Sequence, residues 1–482
     1  MPLTPFRSGP AHVVTAATRS TPSPDRLLPA DPATREFARE LLDCVERLPI
    51  VSPHGHVPAV IIAENSNFAN PADLLVSPDH YVTRLLHANG SMMESLGVGD
   101  FATDPLEIWR EFCSAWHIFD GTASGNWLAL ELYGLFGIEE TPTLDNANRL
   151  YEQIATRLAE PSFRPRALME TFGIEILATT DDPLDDLGAH LSLRADTSFN
   201  SRVIPTFRPD AYVNAHAVDF VGNVDRLIEV AGEGRHGYDG YLTALRNRRQ
   251  HFIDAGAVAT DHGVRTPLSL KLDPLVAARL FDRVRGDDFS GDDRNAFEAH
   301  MLYEMARMSV DDGLVMAIHP GSFRNYDPDA YARFGLDTGH DIPIAIEFTS
   351  SLRPLLADFG TARGFHLVLF TLDETTFSRE LAPLAGLYPS VYLGSPWWFL
   401  DAPDAMLRFR AAVTETTGFS RYGGFVDDTR AFCSIPARHN VARRVEASSL
   451  ARMVAEHRIA MSRAREIIVE VIDEAPRRAF KL

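Results

Sequence analysis

Short runs of apolar residues that end in polar residues recur along the chain. There are eight of them, namely LPIVSPHGH (48–56), IEILATTDD (174–182), RVIPTFRPD (202–210), GAVATDHG (256–263), LVMAIHPG (314–321), HLVLFTLDE (366–374), SVYLGSPWW (390–398) and YGGFVDDTR (422–430). Their length and their β-branched and aromatic residues predict β-strands. Most of the intervening stretches have helical patterns. Before the first strand, for example, Asp31 is the expected N-cap of a helix and Pro32 its first residue.

Strands that alternate with helices are typical of a parallel sheet, and eight of them predict a closed (β/α)8 barrel of the TIM type. In such a barrel the catalytic side chains collect at the carboxyl ends of the strands. The polar residues at those ends are His54, His56, Asp181, Arg208, His262, His319, Asp428 and Arg430. A doubly wound open sheet would also place polar residues at strand ends, and it is the alternative fold.

The first two predicted strands are separated by about 120 residues, far more than one crossover helix needs. Two segments of this stretch, 104–136 and 143–159, are helical in pattern. We therefore expect a helical insertion that caps or walls the pocket. The predicted organisation is an N-terminal arm at 1–30, the start of the barrel with its first strand at 31–59, the helical insertion at 60–170 and the rest of the barrel at 171–482.

Composition restricts the possible partners. Of the 482 residues, 45% are hydrophobic and 23% charged, as in an ordinary globular protein, and the formal net charge is −20. Such a charge argues against binding to nucleic acid or to anionic membranes, but a local arginine cluster or a metal can still attract an anionic small molecule. There is no apolar run of about 18 residues, and the three cysteines lack paired spacing. We therefore expect a cytoplasmic enzyme that acts on a small molecule. The sequence does not decide whether it forms a homo-oligomer.

The sequence HGH at 54–56 suggests a metal site. Residues i and i+2 of a strand point to the same side, so His54 and His56 can present two imidazoles to one point. The alternative is a turn with two solvent-exposed histidines. Asp428 ends the eighth strand, which closes against the first in a barrel, so its carboxylate is the expected third ligand. His319 is either a further ligand or a contact of the substrate or of a ligand. We expect one divalent metal ion, with zinc as the first candidate.

An HxH motif, a distant histidine and a final aspartate resemble the metal site of the amidohydrolase superfamily. Binuclear members of that superfamily bridge a second metal with a carbamylated lysine on strand four. The fourth strand here, AVATDHG, has no lysine, which favours a single metal. The chain has only two lysines, Lys271 and Lys481, and a Schiff-base mechanism would need Lys271.

Longer motifs resemble the uronate isomerase family, a branch of the amidohydrolases, over residues 30–475. They are DHYVTRLLHANG (79–90), ATTDDP (178–183), PTFRPD (205–210), TDHG (260–263), YLGSPWWF (392–399) and DDTRAFCSIPARHNVARR (427–444). The chain departs from many family members at Ser52, where they carry an aspartate two residues before the first histidine. Its N-terminal arm is also longer than in compact members.

The resemblance implies an aldose–ketose isomerase that interconverts D-glucuronate and D-fructuronate, and D-galacturonate and D-tagaturonate, through a cis-enediol. It implies a metal held by His54, His56 and Asp428 that binds the substrate carboxylate and the C5 hydroxyl. The resemblance also implies four catalytic residues. Asp428 would assist proton abstraction, and Arg430 would hydrogen-bond vicinal hydroxyls. Tyr81 would carry a proton between O1 and O2, and His80 would help to open the sugar ring. The expected substrate contacts are Arg208, His262, His319, Arg324 and Trp397.

Other interpretations of these residues stay open. Without the resemblance, Asp79-His80-Tyr81 is a loop with a packed tyrosine, Arg208 and Arg324 form salt bridges, and Trp397 or Trp398 belongs to the core. The metal skeleton alone equally supports a mononuclear hydrolase or deaminase. A hydrolase must activate water, whereas an isomerase places a substrate hydroxyl where that water would sit. A non-catalytic, sugar-acid-binding barrel is a third hypothesis, disfavoured because every proposed ligand is present.

Overall fold

The computed structural model describes residues 21–286 and 289–482, so most of the arm predicted at 1–30 lies outside the described residues. The strands are β1 Ile50–Ser52, β2 Ile174–Ala178, β3 Arg202–Ile204, β4 Ala259–His262, β5 Val315–Ile318, β6 Ser322–Phe323, β7 Ile342–Pro343, β8 Leu367–Leu369 and β9 Val391–Leu393. Seven of them match the first seven predicted strands. The other two, β6 and β7, pair as a short antiparallel hairpin.

The α-helices lie mostly between the strands. In chain order they are α1 Pro32–Asp43, α2 Ala59–Glu64, α3 Pro71–Leu75, α4 His80–Ala88, α5 Pro105–Ser114, α6 Ala123–Phe136, α7 Ala147–Leu158, α8 Pro165–Phe172, α9 Gly188–Ala195, α10 Asp210–Val213, α11 Phe220–Ala231, α12 Gly237–Ala255, α13 Pro274–Arg285, α14 Gly291–Asp312, α15 Pro328–Phe334, α16 Arg353–Phe359, α17 Ala382–Leu387, α18 Pro403–Thr417, α19 Ile435–Ala455, α20 Met461–Val469 and α21 Ala475–Phe480. Helix α1 begins as predicted, since the side chain of Asp31 accepts a hydrogen bond from the Thr34 amide and Pro32 follows it.

The strands form two parallel groups that join into a ring. One group has the order β1-β2-β3 and the other β4-β5-β8-β9. A bridge between Phe207 and Thr260 connects β3 to β4, and a bridge between Leu393 and Tyr422 connects β9 to the segment at 422–430. The amide of His56 donates to the carbonyl of Thr429 at 3.0 Å, which brings that segment back beside β1. The result is the closed parallel barrel that the sequence predicts.

The eighth segment differs from its prediction as a regular strand. It joins the ring through a few hydrogen bonds, and no strand is assigned anywhere in residues 422–430, all of which are described. Gly424 and Asp428 have positive φ angles, 84° and 43°, which β-geometry excludes. A left-handed, non-glycine residue costs on the order of 1–3 kcal/mol, a strain that collects at functional sites.

Apolar side chains pack on both faces of the strands. Val51, Ile176, Ala178 and Ile204 form one small cluster. Leu177, which lies between Ile176 and Ala178 and so points to the other face of β2, packs in a separate cluster with the helices after β1. The alternation thus buries both faces of the strand, as a parallel barrel covered by helices requires.

Seven helices, α2 to α8, stand between β1 and β2, in the place where the sequence predicts a helical insertion. Their apolar side chains, such as Trp109, Phe112 and Leu150, share one core with Ile50 of β1 and Leu177 of β2. This layer therefore packs directly on the first strands of the barrel. The division of the chain into domains stays a prediction. Across the described residues, no helix is both long and apolar enough to cross a membrane.

Candidate active site

His54, His56 and Asp428 converge at one end of the barrel. The Oδ1 atom of Asp428 lies 3.2 Å from Nε2 of His54 and 2.9 Å from Nε2 of His56. The two histidines come from the segment after β1 and Asp428 from the segment that closes against it. Gly55 between them has little space, because a Cβ atom there would lie 3.3 Å from Oδ1 of Asp427 and 3.4 Å from the Ala178 carbonyl.

These three side chains fit a divalent metal. Their ligand atoms lie within 4.8 Å of one another, which is compatible with a common ion at the usual 2.0–2.2 Å. The Oδ1 atom of Asp428 is buried, and despite its short contacts it has no hydrogen-bond partner among the described residues. Burial opposes ionisation of Asp428, yet His54 and His56 hold its pKa well below the ordinary value. An ionised carboxylate facing two imidazole nitrogens is a ligand set for a cation.

His319 is a neighbour of this site. Its ring stacks on His54 at 4.6 Å and on Phe370 at 3.9 Å between centroids. Its Nδ1 lies 2.6 Å from Oδ1 of Asp261, and its Nε2 is buried without a hydrogen-bond partner in the part of the chain that is described. His54, Asp261 and His319 form a second group whose ligand atoms lie within 4.8 Å of one another. Both roles considered for His319, metal ligand and contact of a ligand, therefore stay open.

His262, the predicted substrate contact from the motif TDHG, is not brought to the cavity. Its Nε2 lies 3.0 Å from Oγ1 of Thr260 and its side chain is fully buried. The neighbouring Asp261 takes the site position instead, with Arg208 at 3.2 Å. The physical reason is strand alternation. Thr260 and His262 share one face of β4, whereas Asp261 points to the other.

A small cavity lies next to the two histidines and Asp428. It is lined by His56, His80, Tyr81, Arg208, Arg324, Asp337, Gly339, Asp341, Trp397, Trp398, Asp428 and Arg430. Eight of these twelve are site residues that the sequence predicts, and they come from six distant parts of the chain. They are His56, His80, Tyr81, Arg208, Arg324, Trp397, Asp428 and Arg430. The free volume of the cavity is about 40 Å³.

Three arginines surround one carboxylate in this cavity. Asp337 pairs with Arg430 at 2.7 Å and with Arg324 at 3.2 Å. Burial opposes ionisation of Asp337, but Arg430, Arg324 and Arg208 lower its pKa below the ordinary value. Arg324 also contacts Asp341 at 3.3 Å. The salt bridges considered for Arg208 and Arg324 therefore exist, and both arginines line the cavity as well.

Helix α4 positions His80 and Tyr81. Asp79 is its N-cap, and Oδ1 of Asp79 accepts a hydrogen bond from the Tyr81 amide at 2.9 Å. Asp79, His80 and Tyr81 thus begin a helix. The alternative interpretation, in which they form a loop, is wrong on this point. Burial lowers the pKa of His80 to about 3, so its imidazole is neutral at physiological pH. Burial and the charge of Asp401 raise the pKa of Tyr81 well above its ordinary value.

Two residues behind Tyr81 are absent from the sequence-based set of site residues. The Tyr81 hydroxyl donates to Oδ2 of Asp401 at 3.1 Å, and Arg438 donates to the same oxygen at 2.8 Å. The Arg438 guanidinium also stacks over Trp127 at 3.7 Å and over Tyr81 at 4.7 Å. Both residues lie in or near a family motif. Arg438 is inside DDTRAFCSIPARHNVARR, and Asp401 is two residues past the end of YLGSPWWF.

The remaining candidates are also placed. Trp397 packs edge-on against His319 at 4.8 Å, and Trp398 lies 5.2 Å from the Arg324 guanidinium. Both tryptophans are at once buried and part of the cavity wall. Lys271 lies elsewhere, on the surface in a salt bridge to Asp358 at 2.7 Å. That position offers no route to a Schiff base in the cavity.

Comparisons with known proteins identify a family and several relatives of this chain. The family model described as glucuronate isomerase matches residues 32–478. A uronate isomerase of Corynebacterium efficiens is 54% identical over 461 residues, covering 95% of this chain and 98% of the relative. The crystal structure of glucuronate isomerase from Caulobacter crescentus superposes with a TM-score of 0.94 at 45% identity, over 96% of this chain and 98% of that one. The crystal structure of uronate isomerase from Thermotoga maritima gives a TM-score of 0.90 at 28% identity, over 95% of this chain and 99% of that one.

Proposed function

The chain belongs to the glucuronate isomerase family, and we propose that it interconverts D-glucuronate and D-fructuronate, and D-galacturonate and D-tagaturonate, as an aldose–ketose isomerase. The observation that carries this proposal is the cavity that joins Tyr81 and an arginine cluster to the ligand set of His56 and Asp428. A hydrolase needs the ligand set alone. The tyrosine and the arginines are what an isomerase of anionic sugars needs in addition.

The reaction moves a proton from C2 to C1, so it needs a base near the two carbons and a group that can protonate O1 and deprotonate O2. Asp428 is the proposed base, because a carboxylate that holds a metal through one oxygen keeps a second oxygen free. Arg430 offers a planar fork of donors for two neighbouring hydroxyls. Tyr81 is the proposed acid and base at O1 and O2. The neutral imidazole of His80 is proposed to hydrogen-bond the ring oxygen while the sugar opens.

His54, His56 and Asp428 are the residues proposed to hold one divalent metal, with zinc as first candidate because imidazole and carboxylate ligands suit it. When bound, the metal supplies positive charge that orients the carboxylate and hydroxyl oxygens of the substrate. His319 faces the same region, and its bond to Asp261 fixes which of its nitrogens faces the site.

Asp337 is a negatively charged group on two arginines that are proposed to contact the substrate. It lies among the residues that line the cavity. Asp337 is itself a carboxylate held by Arg430 and Arg324, and its φ angle of 60° is a left-handed conformation that costs energy. We therefore propose that oxygen atoms of the bound sugar replace the Asp337 carboxylate on these arginines.

Asp337→Asn is expected to lower KM for glucuronate by about threefold to tenfold with little change in kcat, because a competing charge leaves the arginines. Steady-state kinetics at fixed ionic strength measures both constants. Asp358→Asn, which breaks the exposed bridge to Lys271, is the matched control and should leave KM unchanged. A rise in KM for Asp337→Asn would mean that Asp337 binds the substrate and does not compete with it.

The direct test of the proposed function is incubation of the metal-loaded protein with glucuronate and with galacturonate. The expected products are the corresponding 2-keto acids, detected by carbon NMR as a new ketone signal, and the reverse reaction should reach the same equilibrium mixture. The chelator-treated protein is the control and should be inactive until metal is restored. If neither uronate is converted by the metal-loaded protein, the proposed function is wrong.

A further inference from the structure

Tyr81, Asp401 and Arg438 form a buried polar cluster behind the cavity. They come from three separate elements, namely the first turn of α4, the loop after β9 and helix α19. The side chains of Arg438 and Asp401 are 1% and 6% exposed. One carboxylate oxygen, Oδ2 of Asp401, receives both the Tyr81 hydroxyl and the Arg438 guanidinium. Of the three, only Tyr81 lines the cavity.

In this arrangement Tyr81 cannot easily lose its proton. Its hydroxyl oxygen lies 3.1 Å from Oδ2 of Asp401, within hydrogen-bond distance. Burial and the charge of Asp401 raise its pKa well above the ordinary value, so a free phenolate is strongly disfavoured. A tyrosine that gave a proton to the substrate without receiving another would have to become such a phenolate. Tyr81 needs a partner that returns a proton at the same time.

We propose that Asp401 is that partner, a positioning residue that passes a proton to and from the substrate through Tyr81. This inference rests on the proposed function. In the aldose-to-ketose direction, the cycle starts with Asp401 protonated on Oδ2, where it donates to the Tyr81 oxygen, so that the Tyr81 hydroxyl is free to donate to the substrate. The ionised Asp401 accepts from Tyr81. The Oδ2–H bond of Asp401 breaks as a new O–H bond forms at Tyr81, and the original Tyr81 O–H bond breaks as the O1–H bond forms. Meanwhile Asp428 takes the proton from C2, and the C–H electron pair becomes the C1–C2 double bond of the enediol.

In the second half of the reaction, from the enediol to the ketose, the protons move in the opposite direction, from O2 of the substrate through Tyr81 to Asp401. The O2–H bond of the enediol breaks as Tyr81 gains that proton, and Tyr81 returns its own proton to Oδ2 of Asp401. The C2 carbonyl forms, and C1 takes the proton from Asp428. Asp401, Tyr81 and Asp428 all end as they began, so the cycle needs no external acid. Tyr81 never ionises.

The surroundings of Asp401 suit this task. Burial, its largest influence, raises the pKa of Asp401 to about 7, while Arg438 and the Tyr81 hydroxyl oppose that rise. A carboxyl group of this strength holds and releases a proton easily near neutral pH. Arg438 also limits the motion of both partners, because it bonds to Asp401 and stacks on Tyr81.

The test is a double-mutant cycle of Asp401→Asn and Tyr81→Phe on the metal-loaded enzyme. Asn keeps the shape of the side chain and an acceptor for Arg438 but cannot supply the proton. Asp401→Asn alone is expected to lower kcat by about 10²-fold or more, with KM within about threefold of wild type. The double variant should be no slower than Tyr81→Phe alone, because both changes break the same relay.

Glu446→Gln is the matched control. Glu446 bonds Arg410 inside the protein, and the side chains of this pair are 1% and 4% exposed. Glu446→Gln should lower the Tm as Asp401→Asn does, leave kcat unchanged and add independently to Tyr81→Phe. Melting temperature and metal content are recorded for every variant. If Asp401→Asn does not fold, the charge-balanced Asp401→Asn/Arg438→Gln variant replaces it, with the same expected loss of kcat.

Separate outcomes overturn separate claims. If the wild type isomerises a uronate but Asp401→Asn retains its kcat, or if its loss multiplies with that of Tyr81→Phe, the role of Asp401 is wrong and the proposed function stands. If the wild type converts neither glucuronate nor galacturonate, the proposed function fails and the role of Asp401 fails with it.

Discussion

Asp428→Asn is expected to lose the bound metal and to lower uronate turnover by at least about 10³-fold, since it removes a ligand and the proposed base together. The amide is neutral and binds a divalent cation more weakly than a carboxylate does. It also cannot accept a proton from C2. Metal content by atomic emission and initial rates with glucuronate measure the two losses. The loss of metal should be visible in the purified protein before any assay.

The control for this variant is Asp312→Asn. Asp312 pairs with the buried Arg249 at 2.6 Å, at the end of α14 and remote from the cavity. Its change should reduce stability while metal content and kcat stay at the wild-type level. If Asp428→Asn keeps one equivalent of metal and isomerises glucuronate at the wild-type rate, then His54 and His56 serve a different purpose and the assignment of the centre is wrong.

The sequence is most informative where local pattern and topology agree. The spacing of His54 and His56 predicts that both imidazoles point to one place, and the closure of an eight-membered barrel predicts that Asp428 lies beside them. The distances of 3.2 and 2.9 Å are consistent with both expectations. The order of the barrel brings Asp428 beside the first strand even where the last segment is irregular. Strand alternation does not itself explain the convergence of His54 and His56, because β1 ends at Ser52 and both histidines lie after it.

The sequence is least informative where one residue of register decides the outcome. In the motif TDHG, histidine is the more conspicuous candidate, yet β4 turns Asp261 toward His319 and His262 toward Thr260. Periodicity gives two faces and does not say which one faces the axis when the whole strand is buried. All four residues of β4 are buried, so no solvent-exposed position marks the outer face.

Contacts between distant loops are also beyond pattern reasoning. Asp401 reaches Tyr81 across 320 positions of the chain, and Asp337 reaches Arg430 across 93. No periodicity connects such residues, and each aspartate alone is typical of a helix cap or a surface loop. Only the folded arrangement shows that one lies behind the cavity and the other within it. The family motifs contain most of the residues proposed to contact the substrate, whereas Asp401 and Asp337 lie outside them.

Tyr81→Phe is expected to lower kcat by about 10²–10⁴-fold, the usual range for a positioned acid–base group. The change removes one hydroxyl and keeps the ring, so the contacts with Trp127 and Arg438 persist. Metal content should remain at the wild-type level and KM should change little, because Tyr81 is not a proposed ligand. A hydrolase on the same barrel would need His54, His56 and Asp428 but not this hydroxyl, so the variant separates the two chemistries.

Tyr241→Phe is the control for Tyr81→Phe. Tyr241 is a buried tyrosine whose hydroxyl donates to the Tyr212 carbonyl at 2.9 Å, within the core around α12. Removing that hydroxyl should cost stability of about 1 kcal/mol, as for an ordinary buried hydrogen bond, without slowing the reaction. If Tyr81→Phe isomerises glucuronate as fast as Tyr241→Phe does, Tyr81 moves no proton. The isomerase chemistry would then have to rest on Asp428 and Arg430, and a water molecule would have to carry the proton between O1 and O2.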